Sequence, residues 1–186
     1  FLLGTFIAGG QTDVTTFTIP IWLMGPHAAI PATLGRRLRL LIAVDGSAHA
    51  AHAAAWAGRM AARLGEASLE LFSVQPAFSP FEGMLDAAAG DFRHWGLGVG
   101  EAAIAAARHA MGDVGHQATG AVATGDAVSM ILAQAEESGA DVIVVAPQGV
   151  NALEQAALGS VSQSLLLSAR CPILLVPRHL TIDDAD

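Results

Sequence analysis

From Leu38 to Pro177 one pattern repeats: a short run of β-favouring residues, a glycine, hydroxyl or acidic residue, then a segment of helical periodicity. The runs are LRLLIAVD (38–45), LELFSVQP (69–76), HQATGAVAT (116–124), DVIVVA (141–146) and CPILLVP (171–177). Consecutive apolar positions, as in 40–44 and 142–146, suit strands buried on both faces rather than half-exposed ones. The intervening segments read as helices over 48–64, 100–112, 127–137 and 160–169, with 77–99 a long loop leading into the second. Ala53, Trp56, Met60 and Leu64 set the buried face of the first. Gly65 and Gly139 supply stops, and Ser47 and Asp126 supply caps. This alternation implies an α/β fold: an open five-stranded parallel sheet, right-handed crossovers and helices on both faces, a Rossmann-like architecture.

Composition narrows the chemistry. All 9 basic residues are arginine, so a lysine-dependent phosphate loop, Schiff-base chemistry and a lysine base are excluded. A net charge of -8 argues against a duplex nucleic-acid surface, which needs clustered positive charge. Much of the 53% hydrophobic content is alanine, 38 residues, which favours helices packed close to their neighbours. One cysteine, Cys171, forms no internal disulfide and fits a reducing cytoplasm. No run approaches the roughly 20 apolar residues of a spanning helix. FLLGTFIAGG is short and lacks a basic region before it, so it makes a poor secretory signal.

Residues 1–35 depart from the pattern. Pro20, Pro26 and Pro31 interrupt a β-favouring stretch and restrict it to extended or edge-strand conformations. They read as an extension lying on a surface, the chain's own or a partner's. Residues 36–178 form the domain, and 179–186 an acidic tail with Asp183, Asp184 and Asp186.

In an open parallel sheet, ligands bind beyond the carboxyl ends of the strands, where strand order reverses. Asp45, Val74, Gly125–Asp126, Ala146–Gly149 and Gly159–Ser162 fall there. The last group opens a helix, whose unpaired N–H groups attract phosphate. Gly159 admits close approach, and Ser160 and Ser162 add hydroxyls. Ser160 and Gln163 equally spell a capping box, a purely structural device.

The strings LLIAVDGS, ATGD, VVAPQGVNALEQAALGSVSQ and CPILLVP together resemble the universal stress protein family, from about Arg36 to Arg178. In nucleotide-binding members a glycine, two residues, a second glycine, nine residues and Gly-Ser cradle the ATP phosphates. Gly149 matches the second glycine, and nine residues separate it from Gly159. The resemblance implies that Asp45 and Val74 hold the adenine, that Gly149, Gly159 and Ser160 hold the phosphates, that Val161 and Ser162 form the helix entry, and that Val145 and Ala146 also belong to the nucleotide site. Ala146 stands at the first glycine, Pro147 follows it, and Gln148 stands where a basic residue is common. Proline removes one backbone donor, worth about 1–3 kcal/mol in a dry site.

The resemblance further implies a cytoplasmic regulatory domain binding ATP, with magnesium, or a related adenine nucleotide. Turnover is at most slow ATP hydrolysis, since no residue stands out as a base. It also implies a homodimer through strand 171–177. The rival class is a nucleotide-free dimeric module, docking on another protein or a membrane-associated assembly through residues 1–35. Ala146 and Pro147 favour that rival; the nine-residue spacing and Gly159–Ser160 favour the binder. His49 and His52 stand three apart but lack a third ligand, so they read as solvated rather than metal-bound. Arg36, Arg37 and Arg39 read as a solvated entry to the first strand, and Cys171 as buried and inert.

Overall fold

A computed structural model of the chain describes residues 21–23, 27–28, 37–65, 67–77, 86–147 and 159–177. Its strands are β1 (Ile21–Leu23), β2 (Leu38–Ala43), β3 (Ala67–Gln75), β4 (Thr119–Thr124), β5 (Val142–Val145) and β6 (Ile173–Leu175). The helices are α1 (Ala48–Leu64), α2 (Asp86–Ala110), α3 (Ala127–Ser138) and α4 (Ser160–Ser168), with a 3-10 turn at Gly112–Gln117.

The sheet order is β1-β6-β5-β2-β3-β4. β2 through β6 pair in parallel, as the alternating pattern requires. β2 is central, paired with β3 from Leu38↔Ala67 to Ala43↔Phe72 and with β5 from Leu40↔Val142 to Ile42↔Val144. The chain moves outward one way through β3 and β4, then returns to the other side of β2 for β5 and β6. The reversal therefore lies between β2 and β5.

Strand alternation splits the core into two layers. Leu40, Ile42, Val44, Leu71, Val142, Val144 and Leu174 pack with α1 and the carboxyl-terminal half of α2. Leu41, Phe72, Ile143, Val145, Ile173 and Leu175 pack with Ile131 and Ala135 of α3 and Leu165 of α4. The face of α1 toward the sheet is Ala50, Ala53, Ala54, Ala57 and Ala61. Here the sequence expectation needs correction: Trp56 is buried, but Met60 is only half-buried and Leu64 is 47% exposed. Small side chains let the helix axis approach the sheet, so the alanine stripe takes the inner position and the larger residues move to its margin.

Helix α2 corrects a second expectation, starting at Asp86 rather than near residue 100. Gly90, Gly96, Gly98 and Gly100 suppress its helical signature in the sequence. At least one has a packing reason: a Cβ on Gly100 would overlap the side chain of Val122 in β4. The other boundaries follow their caps. Ser47 Oγ accepts from Ala50 N at 3.1 Å, and Gly65 closes α1 with φ of 74°. Asp126 Oδ2 accepts from Ser129 N at 2.9 Å, and Gly139 closes α3 with φ of 63°.

The edge strand β6 pairs on its outer side with residues 21–23 of the extension, antiparallel. The edge expected to meet a twofold mate is occupied, over Ile173–Leu175, by the chain's own β1. The rest of residues 1–35 apart from His27 and Ala28, the acidic tail and residues 148–158 lie outside the described residues.

Candidate functional site

Beyond the carboxyl ends of β2 and β5 the sheet opens into a cleft of about 340 Å³. Ala43, Val44 and Asp45 come from the end of β2, Phe72 and Val74 from β3, and Val145 and Ala146 from β5. Gly159, Ser160, Val161 and Ser162 close it from the start of α4, and Ala127 and Ile131 from the start of α3. The crossovers bring every one of these segments to the same end of the sheet, since each helix begins where a strand stops.

Eight of the nine residues singled out by the sequence line this cleft: Asp45, Val74, Val145, Ala146, Gly159, Ser160, Val161 and Ser162. The ninth, Gly149, lies outside the described residues, as does Gln148. Sequence reasoning missed the apolar floor, Phe72 and Ile131, both nearly fully buried. Both carried a signal. Phe72 stands two residues before Val74 and so shares its face of β3; Ala127 and Ile131 stand four apart in α3.

The polar rim is organised locally. Asp45 Oδ1 accepts from Ser47 N at 2.9 Å, which fixes the carboxylate at the mouth of the cleft and bends the chain into α1. Asp126 is held by both the N–H and the hydroxyl of Ser129, the hydroxyl at 2.7 Å. The backbone N–H bond, followed by the hydroxyl bond, keeps its carboxyl below the usual value of 3.8 and hence anionic.

Of the helices that begin at this end, α1, α3 and α4 contribute residues to the cleft, and their starts differ. Ser47 caps α1 and Asp126 caps α3 through their side chains. For α4 the capping position is Gly159, whose carbonyl accepts from Gln163 N at 2.9 Å, with no side-chain cap among the described residues. The capping box expected of Ser160 and Gln163 is not formed. Ser160 is already the first helical residue, one position too far along for its hydroxyl to reach back across the first turn as a box requires. The first N–H groups of α4 therefore stand at the cleft without the side-chain acceptor that closes α1 and α3.

The departure at Ala146 is sterically mild. No described residue other than glycine has a positive φ, so the alanine carries no backbone strain. Its methyl packs partly against the core and partly walls the cleft. Pro147 contributes no N–H, which throws the donor role onto α4. No arginine, lysine or histidine lies among the described lining residues.

Asp45 is the one carboxylate among those lining residues. Cys171, expected to be buried, is only half-buried at the opposite end of the sheet, and that burial pushes its thiol above the ordinary value. Among the described residues no three histidine, cysteine or acidic side chains converge for a metal. Nor is any described helix long and apolar enough to cross a membrane. The described lining residues give the cleft an apolar floor and a mouth of backbone donors, hydroxyls and one fixed carboxylate.

Fold and cleft together define a doubly wound α/β domain with a cleft at its topological switch point. Residues 37–177 match the profile of the universal stress protein family, and the chain belongs to that family. It is 36% identical over 70 residues to the universal stress protein YxiE of Bacillus subtilis (strain 168), a stretch covering 38% of this chain and 47% of that protein. Among solved structures it is similar to a universal stress protein in complex with cAMP: TM-score 0.52, 20% identity, 77% of this chain and 98% of the other. It is also similar to an Arabidopsis thaliana universal stress family protein with AMP bound: TM-score 0.54, 18% identity, 80% and 95% coverage.

Proposed function

We propose that this protein binds an adenine nucleotide in the cleft between β2, β5 and α4, and that the nucleotide acts as a regulatory ligand rather than a substrate. The observation that carries the reading is the open first turn of α4 at the cleft, beside two helices that cap themselves. The cAMP and AMP complexes of structurally similar family proteins support it.

In this reading the ring lies against Phe72, Val74, Val145 and Ile131, and Asp45 accepts hydrogen bonds from the base or sugar. One phosphate group sits at the N–H groups of Gly159 to Val161, joined by the Ser160 hydroxyl and by Gly149 from the sequence motif. The helix end supplies about half a positive charge, which matches one phosphate better than three. ATP is accommodated with magnesium, which would supply the positive charge that the described lining residues lack. Asp45 already accepts from Ser47 N, and no second carboxylate among the described lining residues serves as a base for hydrolysis. The compartment is the cytoplasm, where such nucleotides are abundant. The rival reading, docking through residues 1–35, loses ground because residues 21–23 pair with the chain's own sheet.

The test is to denature the purified protein, identify released nucleotide by mass spectrometry, and titrate the emptied protein with AMP, cAMP and ATP by calorimetry. AMP and cAMP should bind without metal, and ATP more tightly with magnesium than without it. No released nucleotide and no heat at millimolar ligand would end the proposal.

A further inference from the structure

Residues 20–24 read Pro-Ile-Trp-Leu-Met and residues 172–176 read Pro-Ile-Leu-Leu-Val. Three of the five positions are identical, and the other two are apolar in both. The second segment contains β6 and the first contains β1, its antiparallel neighbour. Their register is Ile21↔Leu175, Trp22↔Leu174 and Leu23↔Ile173.

Symmetry gives this register a meaning. A strand pairing with the same strand of a second copy about a twofold axis is antiparallel and self-complementary, so that if i meets j, then j meets i. Centred on Leu174, such a pair would set Ile173 against the partner's Leu175, and Leu174 against the partner's Leu174. By the sequence match, Ile21 corresponds to Ile173, Trp22 to Leu174 and Leu23 to Leu175. Each residue of β1 therefore stands where its counterpart in a second copy's β6 would stand.

We infer that β1 is an internal surrogate for a twofold partner's β6, and that it holds this edge closed to self-association. The edge is one that needs a partner. Ile173, Leu174 and Leu175 are all buried, and an apolar edge strand with open N–H and C=O groups is a template for pairing. The surrogate is tethered, with 14 residues (24–37) between Leu23 and Leu38. A tether of that length gives an effective concentration of order millimolar, so at about 10 µM a second copy competes poorly. The surrogate is also short. Three residues bounded by Pro20 on one side and by Pro26 beyond Met24 cannot extend the ladder far, so its loss exposes the homotypic edge without dismantling the parallel strands.

The experiment uses the full chain and measures mass by sedimentation across roughly 5–200 µM, spanning the range below the tether's effective concentration. The wild type should hold the monomer mass of 19.0 kDa throughout. Trp22→Pro removes a backbone donor and should double the mass within that range. Amide-exchange protection at 173–175 should then rise with protein concentration in the variant and stay constant in the wild type. Trp22→Asp, which keeps every backbone N–H, serves as a second variant and should shift the mass the same way. A wild type already dimeric at the lowest concentration would overturn the inference. So would folded variants that remain monomeric to the highest concentration while losing protection at 173–175.

Discussion

The two ends of the parallel sheet are built from the same kinds of parts and use them differently. At the amino end a smaller cavity, about 190 Å³, is lined by Arg39, Ser68, Glu70, Gln117, Thr119 and Ser138. There most of the polar groups pair within the fold, although the buried Ser138 Oγ has no partner among the described residues. Arg39 Nη1 donates to Ser138 O at 3.0 Å, Arg39 N to Asp141 Oδ2 at 2.9 Å, Gln134 Nε2 to Glu70 Oε1 at 2.6 Å and Thr119 Oγ1 to Leu69 O at 3.3 Å. Arginines gather at this end too: Arg63 and Arg108 in the last turns of α1 and α2, and Arg170 just before β6, paired with Glu136. At the carboxyl end the cleft is larger, its floor apolar, and α4 starts there without a side-chain cap. One end spends its polarity closing the fold, and the other leaves donors for a ligand. Since 142–169 contains no basic residue, the proposed nucleotide would rely there on backbone N–H groups, hydroxyls and a helix end.

The largest expected effect breaks the carboxyl end alone. Ala146→Phe fills the cleft from a half-buried wall position and should weaken AMP binding by about a hundredfold or more, equivalent to roughly 2.7 kcal/mol. Its melting temperature should stay near that of the wild type. A variant that binds as before would mean that the ligand does not use this cleft.

The converse change breaks the amino end. Asp141 is 3% exposed, accepts from Arg39 N and donates its own N–H to Arg39 O. Asp141→Ala removes the side-chain half of this reciprocal bridge between β2 and β5. It should cost about 1–3 kcal/mol of unfolding free energy in urea. AMP affinity, measured under native conditions, should be unchanged. A loss of affinity there would show that the two ends are coupled through the strands.

Much of this contrast was legible in the sequence, and what was not has physical causes. Buried runs such as 142–145 announce strands because nothing else in them competes, and Asp45, Ala146 and Gly159–Ser162 follow from where those runs stop. Helix α2 was hidden because four glycines lower its local propensity, and one of them, Gly100, answers to Val122 across the interface instead. The alternative between cap and open helix at Ser160 turned on a single-residue shift of the helix start, which composition does not encode. Strand β1 was readable as an edge candidate from its prolines, but its place against β6 is a long-range pairing that periodicity alone does not assign.

A subtler change sharpens the comparison at α4. Proline is well tolerated at the first helical position, where its missing N–H has no partner within the helix. Ser160 occupies that position, so Ser160→Pro should leave stability nearly intact while deleting one donor and one hydroxyl at the cleft. AMP affinity should fall about tenfold, corresponding to 1.4 kcal/mol. Ser160→Ala, which removes the hydroxyl alone, should fall less. Equal losses would assign the contact to the hydroxyl and not to the helix end.

The smallest effect concerns Asp126, which caps α3 at the same end. Its carboxyl is held low by the Ser129 N–H first and the Ser129 hydroxyl second. A carboxyl with a depressed folded value contributes stability in full above its unfolded value, near 3.8, and loses that contribution as pH falls through the lower folded value. Asp126→Ala should therefore be less stable than the wild type by a constant margin from pH 5 to 8, and the two urea curves should converge in more acidic solution. Asp126→Asn keeps an acceptor for the Ser129 N–H without a titrating charge, so its margin against Asp126→Ala should persist at low pH. If the alanine variant instead kept its deficit in acid, the neutral carboxyl would still be capping α3. The charge of Asp126 would then add nothing to the cap beyond its acceptor oxygen.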